Sequence, residues 1–248
     1  DMDRSDYLNR DSFYKGVAEG NISSERLIAM LNVKDDNLVI EEKGIYSVEK
    51  FIVARRLMYW QVYLHKTGLV AEQLLIRVLK RANDLELKGV NLFASKALSY
   101  FLKNNINKEN FTEESLEVFS QLDDYDIISA LKEWQYHEDF VLSNLCEMII
   151  NRDLLRIKLK NKPISAAELI THTEDLIKAH NISNYEAEYF VFQGEITNQA
   201  YQNKKQNINI LLKSGKIKDI AKVSDQLNLK GLSKPVTKYY MCYPKNKL

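Results

Sequence analysis

The sequence predicts a mainly α-helical protein with a small C-terminal α+β subdomain that contains an antiparallel sheet. Three observations predict it. Helical apolar patterns follow one another up to about residue 182, only 3 Pro and 8 Gly interrupt 248 residues, and β-branched and aromatic residues gather in the last quarter. The expected domains are residues 1–182, helical, and 183–248, α+β. An apolar content of 45% is enough to bury a substantial core in one large domain or two smaller ones.

Residues 1–14 read as a helix that Gly16 and Gly20 end or bend. Ser24–Asn32 is a short amphipathic helix, and Leu38-Val-Ile40 before Lys43-Gly44 is a strand or hairpin arm. Ser47 is the expected N-cap of a long helix reaching Leu85, with Glu49 in its first turn and a bend near Gly68. Further helices are expected over 93–102, 112–120, 125–136 and 140–159, and Ser165-x-x-Glu168 is a capping box opening a helix to about His180. Strands are expected over 186–192, 207–213 and 237–243. Lys213-Ser-Gly-Lys216 is the turn between two of them, with a short helix over 217–227.

Charge and cysteine content exclude several classes. With 35 basic and 34 acidic residues the net charge is +1, so no global field argues for nucleic acid or an anionic membrane. Lys204-Lys205 and Lys245–Lys247 read as solvated ends. No apolar run approaches the roughly 18 residues of a membrane span, and Cys146 and Cys242 form no C-x-x-C pair. A soluble protein of a reducing cytoplasm is expected.

Two stretches carry the candidate chemistry. At about 100° per helical residue, Asp3, Arg4, Tyr7 and Asp11 fall within an arc of roughly 100°. That face is either a solvated, salt-bridged surface or the wall of a site offering a metal ligand, a phosphate-binding guanidinium and a ring. Arg55, Tyr59, Tyr63 and Lys66 share a second helical face. It is either an arginine stacked on rings at a surface or an opposing wall. Trp60, Met58 and Trp134 read as core or interface residues.

The stretch Asp1-Met-Asp-Arg-Ser-Asp-Tyr-Leu-Asn-Arg-Asp11-Ser-Phe resembles the segment that closes the active site of HD-domain deoxynucleoside triphosphate triphosphohydrolases. The resemblance continues through Gly16-Val17, Gly44-Ile-Tyr-Ser-Val-Glu-Lys-Phe51 and Ala54-Arg-Arg-Leu-Met-Tyr-Trp-Gln-Val-Tyr-Leu-His-Lys66. It implies that the chain is the C-terminal part of an HD-type helical fold. It also implies a divalent metal such as Mn, Mg or Fe, with Asp3 as the closing ligand. By the same resemblance Arg4 and Arg55 meet substrate phosphates, Tyr7 lies against the deoxyribose, Asp11 accepts the 3′-hydroxyl, and Tyr63 discourages a 2′-hydroxyl. Leu64 stands where such proteins carry a polar residue near the base, which leaves base preference open. Arg26, Lys43, His65, Lys66, Arg152 and Arg156 resemble a regulatory nucleotide site at subunit contacts, and a homo-oligomer is implied.

The His-Asp pair of that family is missing. His65, His137, His172 and His180 are none of them followed by Asp, and His137-Glu-Asp139 is the nearest approach. A chain that opens on Asp1 is expected to be a cut edge, with the His ligands upstream and no complete catalytic set here. The expected function of the intact parent is hydrolysis of deoxynucleoside triphosphates to deoxynucleoside and triphosphate. Two alternatives stand beside it: a non-catalytic nucleotide-sensing or oligomerisation scaffold, and an HD phosphohydrolase acting on another phosphoester.

Overall fold

The computed structural model describes residues 2–198, 207–225 and 235–245. Asp1, Lys204, Lys205 and the end of the expected 217–227 helix lie outside them. The protein is mainly α-helical with two small sheets. By packing it forms two compact units, residues 1–65 with 195–238 and residues 66–194 with 239–248. These units differ from a single division at 183, because C-terminal strands return to pair with much earlier residues.

In the first unit, helix α1 (Met2–Lys15) buries Leu8 and Ser12, one turn apart. Gly16 ends it at φ 65, where the Val17 amide donates to the Ser12 carbonyl at 3.0 Å. Asn9 ties the helix to the following segment: its Oδ1 accepts from the Ile22 amide at 3.0 Å and its Nδ2 donates to Ser24 Oγ at 2.8 Å. Helix α2 (Ser24–Ala29) is shorter than expected, because Leu31–Lys34 is strand β1.

Strand β1 pairs antiparallel with β2 (Asn37–Glu41) across Asp35 and Asp36, both in the left-handed region. The hairpin arm at 38–40 is as expected. Its turn, however, precedes it, and Lys43-Gly44 instead belongs to a 3₁₀ turn leading into helix α3 (Ile45–Met58). Gly44 is the N-cap of α3, so Ser47 lies inside the helix. Glu49 is buried and accepts a hydrogen bond from Ser224 Oγ.

Helix α3 runs into a π-helical turn, Tyr59–Tyr63, where the Leu64 amide reaches back to the Tyr59 carbonyl at 2.7 Å. The helix breaks at Leu64–His65 rather than near Gly68, which sits in the first turn of the next helix.

Leu8, Ile22, Ala54 and Met58 form the core that holds α1 on α3. Gly20 makes this approach possible: a Cβ there would stand 2.8 Å from Met58 Sδ and 2.9 Å from the Leu8 carbonyl oxygen. Gly20→Ala is expected to cost about 1–3 kcal/mol through overpacking, read as a lower urea midpoint at unchanged slope.

A second cluster of Val48, Ile52, Ile210 and Ile220 seats α3 on a four-stranded sheet in which Asn209–Leu211 and Ile217–Asp219 continue from β1 and β2. In it β2 runs parallel to β5 (Asn209–Leu211), with Ile40 opposite Ile210. Strand β5 turns through Gly215 (φ 76) into β6 (Ile217–Asp219), so the turn at 213–216 is present but leads into a strand where a helix was expected to begin; helix α11 (Ile220–Val223) starts three residues later.

In the second unit, α4 (Lys66–Leu87) is the central helix, burying Leu74, Val78, Ala82 and Leu85 along one face. Around it lie α5 (Lys96–Lys103), α6 (Glu113–Ser120), α7 (Asp124–Trp134) and α8 (Phe140–Ile150). Side chains of Ser95, Thr112, Asp123 and Asp139 cap them. Trp134 is core, its Nε1 donating to the Phe93 carbonyl at 2.9 Å.

The helix expected to reach residue 159 stops at Ile150. Arg152 adopts φ 56, and Arg156–Lys160 is strand β3. Helix α9 (Ala166–His180) opens on Ser165, which accepts from the Glu168 amide at 3.3 Å. Glu168 does not complete a reciprocal box, because its carboxylate accepts from Lys158 and Lys160. Those two ammonium groups hold it down to about 2.

Residues 184–187 form the short helix α10 and only Phe192–Asn198 is strand β4, which corrects the strand expected over 186–192. Strand β7 (Val236–Tyr243) lies between β3 and β4. The buried rings of Tyr189, Phe190, Phe192 and Tyr240 belong to this core.

Candidate functional site

The first unit brings Tyr7 and Asp11 of α1 together with Tyr63. Leu8 and Met58 set the two helices face to face, and Tyr7, next to Leu8, and Asp11, about one turn further on, flank that contact. Tyr63 Oη donates to Asp11 Oδ2 at 2.7 Å, and the Tyr7 and Tyr63 rings meet edge to face with centroids 5.8 Å apart.

Arg55 enters the same cluster through Tyr59. The Arg55 guanidinium lies 5.4 Å from the Tyr59 ring centroid, and the Tyr59 and Tyr63 rings are 5.1 Å apart. The π-helical turn adds a residue to the helical repeat just where Tyr59 and Tyr63 leave the backbone. The two rings pack against each other, Tyr59 one turn and Tyr63 about two turns beyond Arg55.

The electrostatics join these groups. Burial pushes the Tyr7 phenol up, helped by Tyr59, while Arg55 and Arg4 pull the other way, so both guanidinium groups act at Tyr7. Burial raises the Tyr63 phenol too, followed by its hydrogen bond to Asp11, which keeps it a neutral donor. Arg55 Nε is buried and has no hydrogen-bond partner among the described residues. A desolvated guanidinium N–H beside a ring and facing no carboxylate suits an anionic ligand.

Tyr59 is the member that sequence reasoning left outside the substrate-binding set. Its signal was the i,i+4 spacing from Arg55, also consistent with an arginine resting on a surface ring. The helix that carries Arg55, Tyr59 and Tyr63 ends at Leu64, and Lys66 begins α4 in the other unit.

Asp3 is exposed on α1. Among the described residues no group of three or more His, Cys, Asp or Glu is placed to hold a metal ion. The described residues thus do not by themselves fit a metal centre, and Asp3 remains a single candidate ligand. His137-Glu-Asp139 has a structural role: Asp139 caps α8 and pairs with Arg81, and its amide donates to His137 Nδ1 at 3.0 Å. Arg26, Lys43, His65, Lys66, Arg152 and Arg156 are all exposed and are spread over both units, and Lys43 pairs with Glu41 at 3.0 Å. No described helix is long and apolar enough to cross a membrane.

The Tyr63 contact has a measurable worth. Tyr63→Phe removes a hydrogen bond to a carboxylate at a part-buried site and is expected to lower stability by about 1–2 kcal/mol, seen as a lower denaturation midpoint.

Known proteins resemble this chain in sequence and in fold. The chain is 30% identical over 231 residues to the protein YwfO of Bacillus subtilis, covering 90% of this chain and 51% of that protein. It is 26% identical over 127 residues to a deoxynucleoside triphosphate triphosphohydrolase SAMHD1 homolog of Dictyostelium discoideum, covering 49% of this chain and 24% of that protein. A crystal structure of a phosphohydrolase from Bacteroides thetaiotaomicron superposes with a TM-score of 0.92 at 51% identity, covering 99% of this chain and 61% of that one. The chain therefore spans about half the length of the Bacillus relative and under two thirds of the Bacteroides protein. Residues 22–109 match the HD associated region, and the chain has the fold of the corresponding part of a bacterial phosphohydrolase.

Proposed function

We propose that this chain forms part of an HD-type phosphohydrolase that cleaves deoxynucleoside triphosphates to deoxynucleoside and triphosphate. The observation that carries the reading is the single cluster of Tyr7, Asp11, Tyr59, Tyr63 and Arg55, joined by the Tyr63–Asp11 hydrogen bond and the edge-to-face rings. The Bacteroides protein is described as a phosphohydrolase, which supports the reaction class, and the Dictyostelium relative as a deoxynucleoside triphosphate triphosphohydrolase homolog, which supports the substrate.

In this reading Arg55 and Arg4 bind phosphate oxygens and offset the charge that builds on them. Tyr7 supports the sugar by ring contact. Asp11, oriented by the Tyr63 hydroxyl, accepts the sugar 3′-hydroxyl, and the Tyr63 ring occupies the space beside it that a 2′-hydroxyl needs. Asp3 is proposed as this chain's one ligand to a divalent ion. Self-association belongs to the same proposal, and light scattering on the full-length protein measures it.

The test is a product assay. Full-length protein is incubated with each deoxynucleoside triphosphate and Mn or Mg, and the phosphorus-containing products are separated. Release of triphosphate with free deoxynucleoside supports the reading; inorganic phosphate or pyrophosphate as the product overturns it.

A further inference from the structure

On the side of α1 away from Arg4, Tyr7 and Asp11, the first unit contains a partly enclosed cavity of about 160 Å³. Leu27, Leu31, Val39, Val48, Phe51 and Ile208 supply its apolar walls. From α1 it takes Met2 and Ser5, which at about 100° per residue point roughly 160° round the helix from the site-facing residues. An apolar cavity of about 150 Å³ is large enough to take a benzene ring.

We propose that this cavity is a binding site for a small uncharged molecule with one apolar ring and one polar group, about the size of phenol. Volume sets the size and the aliphatic and aromatic walls set the character. The polar residues among the described lining are neutral, namely Ser5, Asn207 and Asn209. Among the described residues that line it there is no Lys, Arg, Asp or Glu. A charged ligand would lose its water there and gain no counter-charge from these residues, which disfavours a phosphate or nucleotide.

The position of the cavity gives occupancy a consequence. Its occupant rests on the back of α1 through Met2 and Ser5 and on Phe51, one turn before Arg55 on α3. It therefore braces the two helices that carry the candidate site, whatever reaction that site performs.

Methyl NMR of the protein titrated with phenol tests the proposal, with benzoate as the charged counterpart. The expected result is saturable shifts at the methyl groups of Leu27, Leu31, Val39 and Val48, with benzoate weaker by about ten-fold or more. Ile28 lines the cavity but is 52% exposed, so Ile28→Trp can place a ring across the mouth without entering the core. That variant is expected to weaken phenol binding by at least about ten-fold. Leu38→Trp, at a lining residue 59% exposed, serves if the first variant does not fold. Shifts that fail to saturate, that persist unchanged in the folded blocking variant, or that benzoate reproduces at equal concentration would each overturn the proposal.

Discussion

Arg81→Met is expected to destabilise the protein by about 3–5 kcal/mol, the largest stability effect of any single substitution considered. Arg81 lies on α4 with only 6% of its surface exposed. Its Nε donates to Asp139 Oδ1 at 2.9 Å and its Nη2 to Asp139 Oδ2 at 2.5 Å, a two-pronged pair that ties α4 to the cap of α8. Glu186 stands 3.7 Å away and the Tyr189 ring 5.6 Å. Methionine keeps the volume but leaves the Asp139 carboxylate desolvated with only the Leu142 amide, at 2.8 Å, for support. The double change Arg81→Met with Asp139→Asn removes the orphaned charge and is expected to recover part of the loss; a double mutant no better than the single would show that the cost is packing alone.

The same pair fixes an acid limb. Burial pushes the Asp139 carboxyl up, but the Arg81 and Leu142 hydrogen bonds and the Arg81 charge outweigh it, so the folded value lies below the ordinary 3.8. A group held lower in the folded state contributes fully above its unfolded value and loses that contribution as pH falls through the folded one. Stability of the natural protein should therefore decline below about pH 4, and Arg81→Met should flatten this part of the profile, as measured by denaturation midpoints across acid pH.

Arg55→Ala is expected to lower kcat/KM for deoxynucleoside triphosphate hydrolysis by about 10²–10³-fold while shifting the thermal midpoint little. The guanidinium touches the Tyr59 ring and keeps a buried Nε–H without a partner, so its removal breaks no described ion pair. Arg55→Lys should recover only part of the activity, because an ammonium cannot present the planar fork that phosphate oxygens accept. Activity within about two-fold of natural in Arg55→Ala would remove this residue from the site.

Much of this was readable before the fold was known, for local reasons. Thr112 and Ser165 cap their helices as their spacing suggests, and the i,i+4 steps of Tyr7 to Asp11 on α1 put both side chains on the face that meets Tyr63. Arg156-Ile-Lys-Leu-Lys160 had a period-two alternation, yet it follows an apolar helix closely enough to read as its continuation. Only the left-handed Arg152 and pairing with residues 239–243 make it a strand. Ser47 lost the cap to Gly44 because the chain entered α3 through a 3₁₀ turn. The π-helical turn at 59–63 carries no composition signal; packing of Tyr59 and Tyr63 against Arg55 and Tyr7 accompanies it. The β2–β5 pairing joins residues about 170 apart, which no local pattern announces.

That parallel pairing bears on synthesis. As the ribosome releases the chain, α1, the first hairpin and α3 emerge long before Asn209–Leu211, so Ile210 and Ile220 are not yet there to close the core on Val48 and Ile52. Contacts between such distant segments form slowly and leave apolar surface uncovered in the meantime. The helices that carry Arg55 and Asp11 must wait, half-packed, for the last fifth of the chain, and it is during this interval that the nascent protein has most need of a chaperone.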